Sequence, residues 1–300
     1  MLKLPSQNRY EYSPIAERPV YDWPGGKRLA FYIAVNIEHF AFNAGLGNDP
    51  VNRGGPQNQR NYGWRDYGNR VGLWRVFDML EELGLPSSSL VNSTVCDHYP
   101  QIIERLKKRG DDVLGHGRSN AEMLKPMWEH DEARVIQEVT DVLTKHVGKR
   151  PLGWMGPAAN ESNVTPDLLK EAGYTHVLDW PADDQPFWMR TRSGPLLTIP
   201  YPYELNDISS MSTRDHTGRE FADMIVDHFD EMVEQSEHTP LVFSLAIHGF
   251  VVGQPFRLRP LRQALKHCIE HKYKDRVWFT RVADIADHCL SLPKGTLVGS

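Results

Sequence analysis

The sequence predicts an α/β domain in which short buried strands alternate with amphipathic helices, arranged as a (β/α) barrel or as a large doubly wound sheet. Roughly seven or eight short apolar runs recur along the chain, most of them followed by a stretch of helical period. With 300 residues, of which 40% are hydrophobic and 24% charged, the chain can bury a sizeable core and is not disordered. No proline- or serine-rich linker divides it, so residues 1–300 read as one domain. An N-terminal arm over 1–28 and a long polar loop over 41–69 depart from the rhythm.

The first strand is Leu29–Asn36, continuous apolar residues preceded by Gly25-Gly26. Ala41–Asn69 follows, with six glycines, six asparagines and no helical period, yet with Tyr62, Trp64 and Tyr67. A loop this long serves as a lid, a binding loop or an oligomer contact. Gly68–Gly84 is a helix with Leu73, Phe77, Leu80 and Leu83 on one stripe and Gly84 as its stop. Ser89–Val95 is a strand, Tyr99–Arg109 a helix ended by Gly110, and Asp112–His116 a third strand. Asp131–Val147 is amphipathic and ends at Gly148. Leu152–Met155 reads as a strand, and Thr165–Ala172 as a helix with proline in its first turn. Val177–Trp180 is a strand, and Phe187–Arg192 and Leu196–Ile199 form an excursion around Ser193-Gly194. Glu220–Glu234, Leu241–His248, Leu261–His271 and Val277–Thr280 read as helix, strand, helix and strand, before a C-terminal helix.

Charge and composition exclude several partners. Lys plus Arg is 34 and Asp plus Glu 39, a net charge of −5 with no basic run, which argues against nucleic acid. The longest apolar run, Leu29–Val35, falls far short of the roughly 20 residues that cross a bilayer. Met1–Pro14 is polar and lacks the apolar stretch of a signal peptide, so a cytoplasmic protein is expected. Cys96, Cys268 and Cys289 are too scattered for a disulfide framework or a thiolate zinc site.

In a parallel barrel the C-terminal strand ends converge on one face. Here those ends carry Glu38 and His39, His116 with Asn120, Trp154, Asp179 and His248. Histidines and a carboxylate so placed can bind a metal through neutral imidazoles or run general acid–base chemistry. GxSxG, GxGxxG and P-loop patterns are absent.

Asn36-Ile37-Glu38-His39-Phe40, Gly115-His116-Gly117-Arg118-Ser119-Asn120, Gly153-Trp154-Met155-Gly156-Pro157, Leu178-Asp179-Trp180 and Leu245-Ala246-Ile247-His248 follow in order. This succession resembles the motifs of the polysaccharide deacetylase superfamily, a carbohydrate esterase family four-like group, over roughly Ala30 to Asp284. Within it, Tyr21-Asp22-Trp23-Pro24, Pro200–Asp207 and His248–Pro255 resemble the cytoplasmic branch of allantoinase-like and peptidoglycan-deacetylase-like proteins.

The resemblance implies a distorted, incomplete (β/α) barrel. It also implies hydrolysis of a carbon–nitrogen bond in a non-peptide amide, with Glu38 as general base and His248 as general acid. Its metal positions fall on His39, His116 and Asn120. His39 stands where the family has a carboxylate and Asn120 where it has a second histidine, and Gly153–Pro157 lacks the usual arginine. No negative ligand remains in that set, so the expected cofactor is none, or a weakly bound zinc-like divalent metal.

Trp154 could wall the pocket or belong to the core. Asp179 could orient a neighbour or cap a strand, and Asn206-Asp207 could bind a polar substrate or form a turn. The functions implied are hydrolysis of a small cyclic amide or ureide, deacetylation of an N-acetylated sugar or peptidoglycan unit, or silent binding on the same fold. The expected partner is a small-molecule amide, in a homodimer or tetramer with the 41–69 loop at a subunit contact or over a neighbour's pocket.

Overall fold

Leu29–Ile37 (β1) is buried at every position, as expected of a parallel strand covered on both faces. The computed structural model describes residues 6–51 and 53–300; Met1–Pro5 of the N-terminal arm and Asn52 of the polar loop lie outside them. After β1 come a hairpin of Leu46–Asn48 (β2) and Arg53–Pro56 (β3), then helices Gln59–Tyr67 (α1) and Leu73–Glu82 (α2). Ser88–Val91 (β4), Val95–His98 (α3), Pro100–Arg109 (α4), Asp112–Gly115 (β5), Glu129–Val147 (α5) and Gly153–Trp154 (β6) follow. Next are Thr165–Glu171 (α6), His176–Val177 (β7), Phe187–Thr191 (β8), Gly194–Thr198 (β9) and Gly218–Gln235 (α7). The chain ends through Leu241–His248 (β10), Gly249–Val252 (α8), Pro255–Glu270 (α9), Val277–Phe279 (β11) and Val282–Ser291 (α10). Among the described residues no helix is long and apolar enough to cross a membrane.

The main sheet runs β10-β1-β4-β5-β6-β7-β9-β8, with β11 on the first half of β1, and only the β8–β9 pair is antiparallel. Its two ends meet through irregular backbone: Asn206 bridges Ala246, and the Val242 N–H donates to the Asp184 carbonyl. The barrel is therefore incomplete, which fixes one of the two architectures left open by the strand pattern.

Strand parity sorts β1 into two faces. Leu29, Phe31, Ile33, Val35 and Ile37 pack in the larger core beneath the helices. Ala30, Tyr32 and Ala34 face inward with Leu90, Leu114, Leu178, Leu197 and Val242. The same alternation continues past the strand end and decides which side chains reach the cavity.

Three elements differ from the sequence expectation. The 41–69 segment is structured: Asn58 caps α1 by accepting from the Asn61 N–H at 2.9 Å. The helix read as Gly68–Gly84 begins instead as a π-type turn over Gly68–Gly72, with α2 only from Leu73. There the chain crosses the start of α8 at backbone contact: a Cβ on Gly68 would stand 2.7 Å from the Phe250 nitrogen, and one on Gly72 would strike the Gly249 carbonyl. Finally, β4 stops at Val91 because Asn92 turns its amide to the neighbouring strand ends, accepting from His39 N–H at 2.9 Å and donating to the His116 carbonyl.

Candidate active site

At the C-terminal ends of β1, β5 and β10 a cavity of about 460 Å³ opens, lined among others by Glu38, His116, Asn120, Tyr201 and His248. Its floor is held by side chains that grip backbone. Asn69 donates to the Glu38 carbonyl at 2.8 Å, Ser119 to the His39 carbonyl at 2.8 Å, and the Asn120 N–H to the same carbonyl at 3.0 Å. Glu38 Oε1 then accepts from Asn120 Nδ2 at 2.8 Å and stands 3.5 Å from both His116 Nε2 and His248 Nε2.

Each imidazole is oriented from behind. His248 Nδ1 is 2.6 Å from Asp207 Oδ1, and the His248 backbone N–H donates to Asp207 Oδ2 at 2.7 Å. His116 Nδ1 donates to the Met155 carbonyl at 2.7 Å, so its Nε2 is the bare nitrogen; it is buried, without a hydrogen-bond partner among the described residues. Met155 is placed in turn by Asp179, whose two oxygens accept from the Gly156 N–H at 2.8 and 3.0 Å.

These contacts set the charges. Burial pushes the Glu38 carboxyl up, but the facing charge of His248 outweighs it and holds Glu38 at about 2. Burial lowers His248, but the carboxylates of Asp207 and Glu38 outweigh it and raise it to about 10. At neutral pH the site therefore holds a carboxylate facing an imidazolium. Farther back, burial pushes Asp179 up to about 6, and burial with the Asp179 charge pushes Glu161 well above the usual carboxylate range.

The structure brings Glu38, His116, Asn120 and His248 together and separates the other residues singled out. His39 has the parity of Ile37: it turns from the cavity, stacks on His98 at 4.2 Å between ring centres, and bonds Thr94 Oγ1 through Nδ1 at 3.0 Å. It cannot share a metal with His116 and Asn120. Trp154 is a core residue against Tyr174, not a pocket wall. Asp179 and Asp207 are buried positioning groups that do not line the cavity; Asn206 lines it, with Nδ2 3.5 Å from Tyr201 Oη.

The residues do not fit a resident zinc. Three protein ligands are usual; here the cavity offers one carboxylate, one bare imidazole nitrogen and an amide, while His248 carries a proton and is engaged by Asp207. A second group, Asp230, His267 and His271, lies between α7 and α9 with its ligand atoms within 4.8 Å of one another. The Tyr273 N–H donates to His271 Nδ1, which leaves the proton on Nε2 facing Asp230, so this group reads as a helix–helix clasp.

Sequence reasoning missed Asn36, Tyr201 and Arg65. Asn36 shares the parity of Ala34 and Glu38 and donates to Tyr201 Oη at 3.2 Å. Arg65 lines the cavity from α1, inside the segment that showed no period.

The fold is an incomplete parallel (β/α) barrel with a buried carboxylate and histidine at its strand ends, where enzymes of this class carry their active sites. Residues 64–177 match the family model for polysaccharide deacetylase. Two solved structures superpose over nearly the whole chain. One is named "probable Polysaccharide deacetylase from Pseudomonas aeruginosa PAO1" (TM-score 0.80, 26% identity, 89% of this chain and 92% of that one). The other is Puue allantoinase (TM-score 0.80, 25% identity, 94% and 97%). The peptidoglycan deacetylase of Helicobacter pylori is 23% identical over 250 residues, 73% of this chain and 84% of the relative. Residues 64–177 thus resemble a polysaccharide deacetylase domain, and the fold as a whole is that of these solved neighbours.

Proposed function

We propose that this protein hydrolyses the carbon–nitrogen bond of a small non-peptide amide, of the cyclic amide or ureide class. The observation that carries the reading is Glu38 Oε1 standing 3.5 Å from His248 Nε2, with Asp207 holding His248 from behind, inside a cavity of about 460 Å³. The likeness to an allantoinase over 94% of the chain supports the substrate class.

In this reading water attacks the amide carbonyl carbon and Glu38 takes its proton. The carbon–nitrogen bond then breaks, and His248 Nε2 delivers its proton to the departing nitrogen, giving a carboxylic acid and an amine or a ring-opened product. The two steps are linked: once Glu38 is neutral, its hold on the His248 proton weakens and His248 becomes the stronger acid. His116 cannot donate to the oxyanion, because its Nδ1 proton goes to Met155. The Tyr201 hydroxyl, flanked by the amides of Asn36 and Asn206, is the donor placed for that charge.

Deacetylation of an N-acetylated sugar uses the same groups and is supported by the family model and the Helicobacter relative. A hydrolysis screen with allantoin, hydantoins, cyclic imides and N-acetylglucosamine oligomers separates the readings. Ring opening of a cyclic amide is expected; release of acetate alone would move the assignment to deacetylation. No turnover of any substrate would leave a binding protein.

A further inference from the structure

Arg65 is the one lysine or arginine lining the cavity among the described residues. Its guanidinium lies over the Phe40 ring, Cζ 3.5 Å from the ring centre, beside Trp64 and Phe250. Nε and Nη1 are buried and have no hydrogen-bond partner among the described residues. The nearby carboxylates are engaged elsewhere: Glu38 by Asn120, Asp49 by Arg60 and Asp66 by the Tyr99 hydroxyl. Burial pulls this cation down to about 10, against the opposing pull of Glu38 and Asp49, and two of its donors are left without a hydrogen bond among the described residues.

Unmet buried donors are costly, more so on a charged group, whereas a charge-assisted bond to a carboxylate is about twice as strong as a neutral one. We propose that Arg65 is a substrate-carboxylate subsite and that the amide this protein acts on is an acidic one, with a carboxylate held on the α1 side of the cavity and the scissile carbonyl over Glu38. This inference rests on the hydrolase reading for the second half of that statement only; the subsite itself is a binding claim. Arginine suits the role because its weakly hydrated, planar guanidinium stays charged on an aromatic face.

Binding calorimetry at two ligand pairs tests it without turnover: hydantoin-5-acetic acid against hydantoin, and N-acetylmuramic acid against N-acetylglucosamine. The acid of at least one pair is expected to bind at least about tenfold tighter than its neutral partner. In Arg65→Gln that preference falls to within about twofold, and Arg65→Lys lies between. Equal affinity within both pairs, or binding by neither acid, overturns the proposal. So does a preference that survives Arg65→Gln. The wild-type ratio alone decides the first point, so a variant that fails to fold does not remove the test. Hydrolysis without acid preference sinks only the subsite; acid preference without hydrolysis sinks only the enzyme reading.

Discussion

The floor and the cover of the cavity are built on opposite plans. On the floor, Glu38, His248 and Asp207 come from or bridge to the sheet and are buried, with His248 set between the two carboxylates. The cover, residues 41–69, exposes Phe42, Leu46 and Val51 and carries Arg65 with unmet donors. The parallel sheet supplies rigid strand ends, so chemistry that tolerates little displacement sits there. The loop and short helix above it supply groups that wait for a ligand. In the proposed reading, reaction and selectivity fall to different parts of the chain.

Breaking the floor should cost most. Glu38→Gln keeps the shape and the bond from Asn120 but cannot accept a water proton, so the turnover rate should fall about 10²–10⁴-fold, while loss of the ion pair with His248 lowers the melting temperature but leaves the fold intact. A variant retaining more than about a hundredth of the wild-type rate would put the base elsewhere. His248→Ala should cost less on activated substrates than on those with poor leaving groups; equal losses on both would assign His248 to positioning. Arg65 variants should leave that ratio unchanged while altering which substrate is bound, which sharpens the contrast between the two regions.

The pH response is smaller and its sign follows from the ion pair. His248 is raised from its ordinary 6.5 to about 10, so its stabilisation is full below pH 6.5 and is lost as pH rises toward 10. Glu38 is lowered from 4.5 to about 2, so its contribution is present above pH 4.5 and lost as pH falls toward 2. Thermal melts from pH 5 to 10 should show a decline above about pH 6.5 that His248→Ala largely abolishes. The smallest effect expected is from a chelator: activity should survive it, and purified protein should hold far less than one zinc per chain. One tightly held zinc, lost together with activity, would require Glu38 to be a ligand and the base to be another group.

Much of this was legible in the residues. The strand and helix order could be read because buried parallel strands are continuous apolar runs, and because Gly110 and Gly148 stop α4 and α5 in the left-handed conformation. The error at His39 came from taking two successive residues as neighbours. The alternation of Ala30, Tyr32 and Ala34 against Leu29, Phe31 and Ile33 already paired Glu38 with Asn36 and sent His39 outward. Asp207 was singled out for substrate, yet it stands behind His248, a long-range pairing that no local spacing reveals. Arg65 gave no signal, because α1 is polar around most of its circumference and is held through Trp64 and the glycine contact that follows it.

That contact, Gly68 and Gly72 laid against Gly249 and Gly253, has a consequence for how such a protein can change. It pins the far end of the 41–67 segment to the turn that follows His248, while the near end is pinned at the tip of β1. Between two such anchors the intervening stretch is a replaceable cassette: it can be lengthened, shortened or given another arginine without moving His248. A change of insert would then alter the cover of the cavity while the four glycines and the strand ends hold the floor in place.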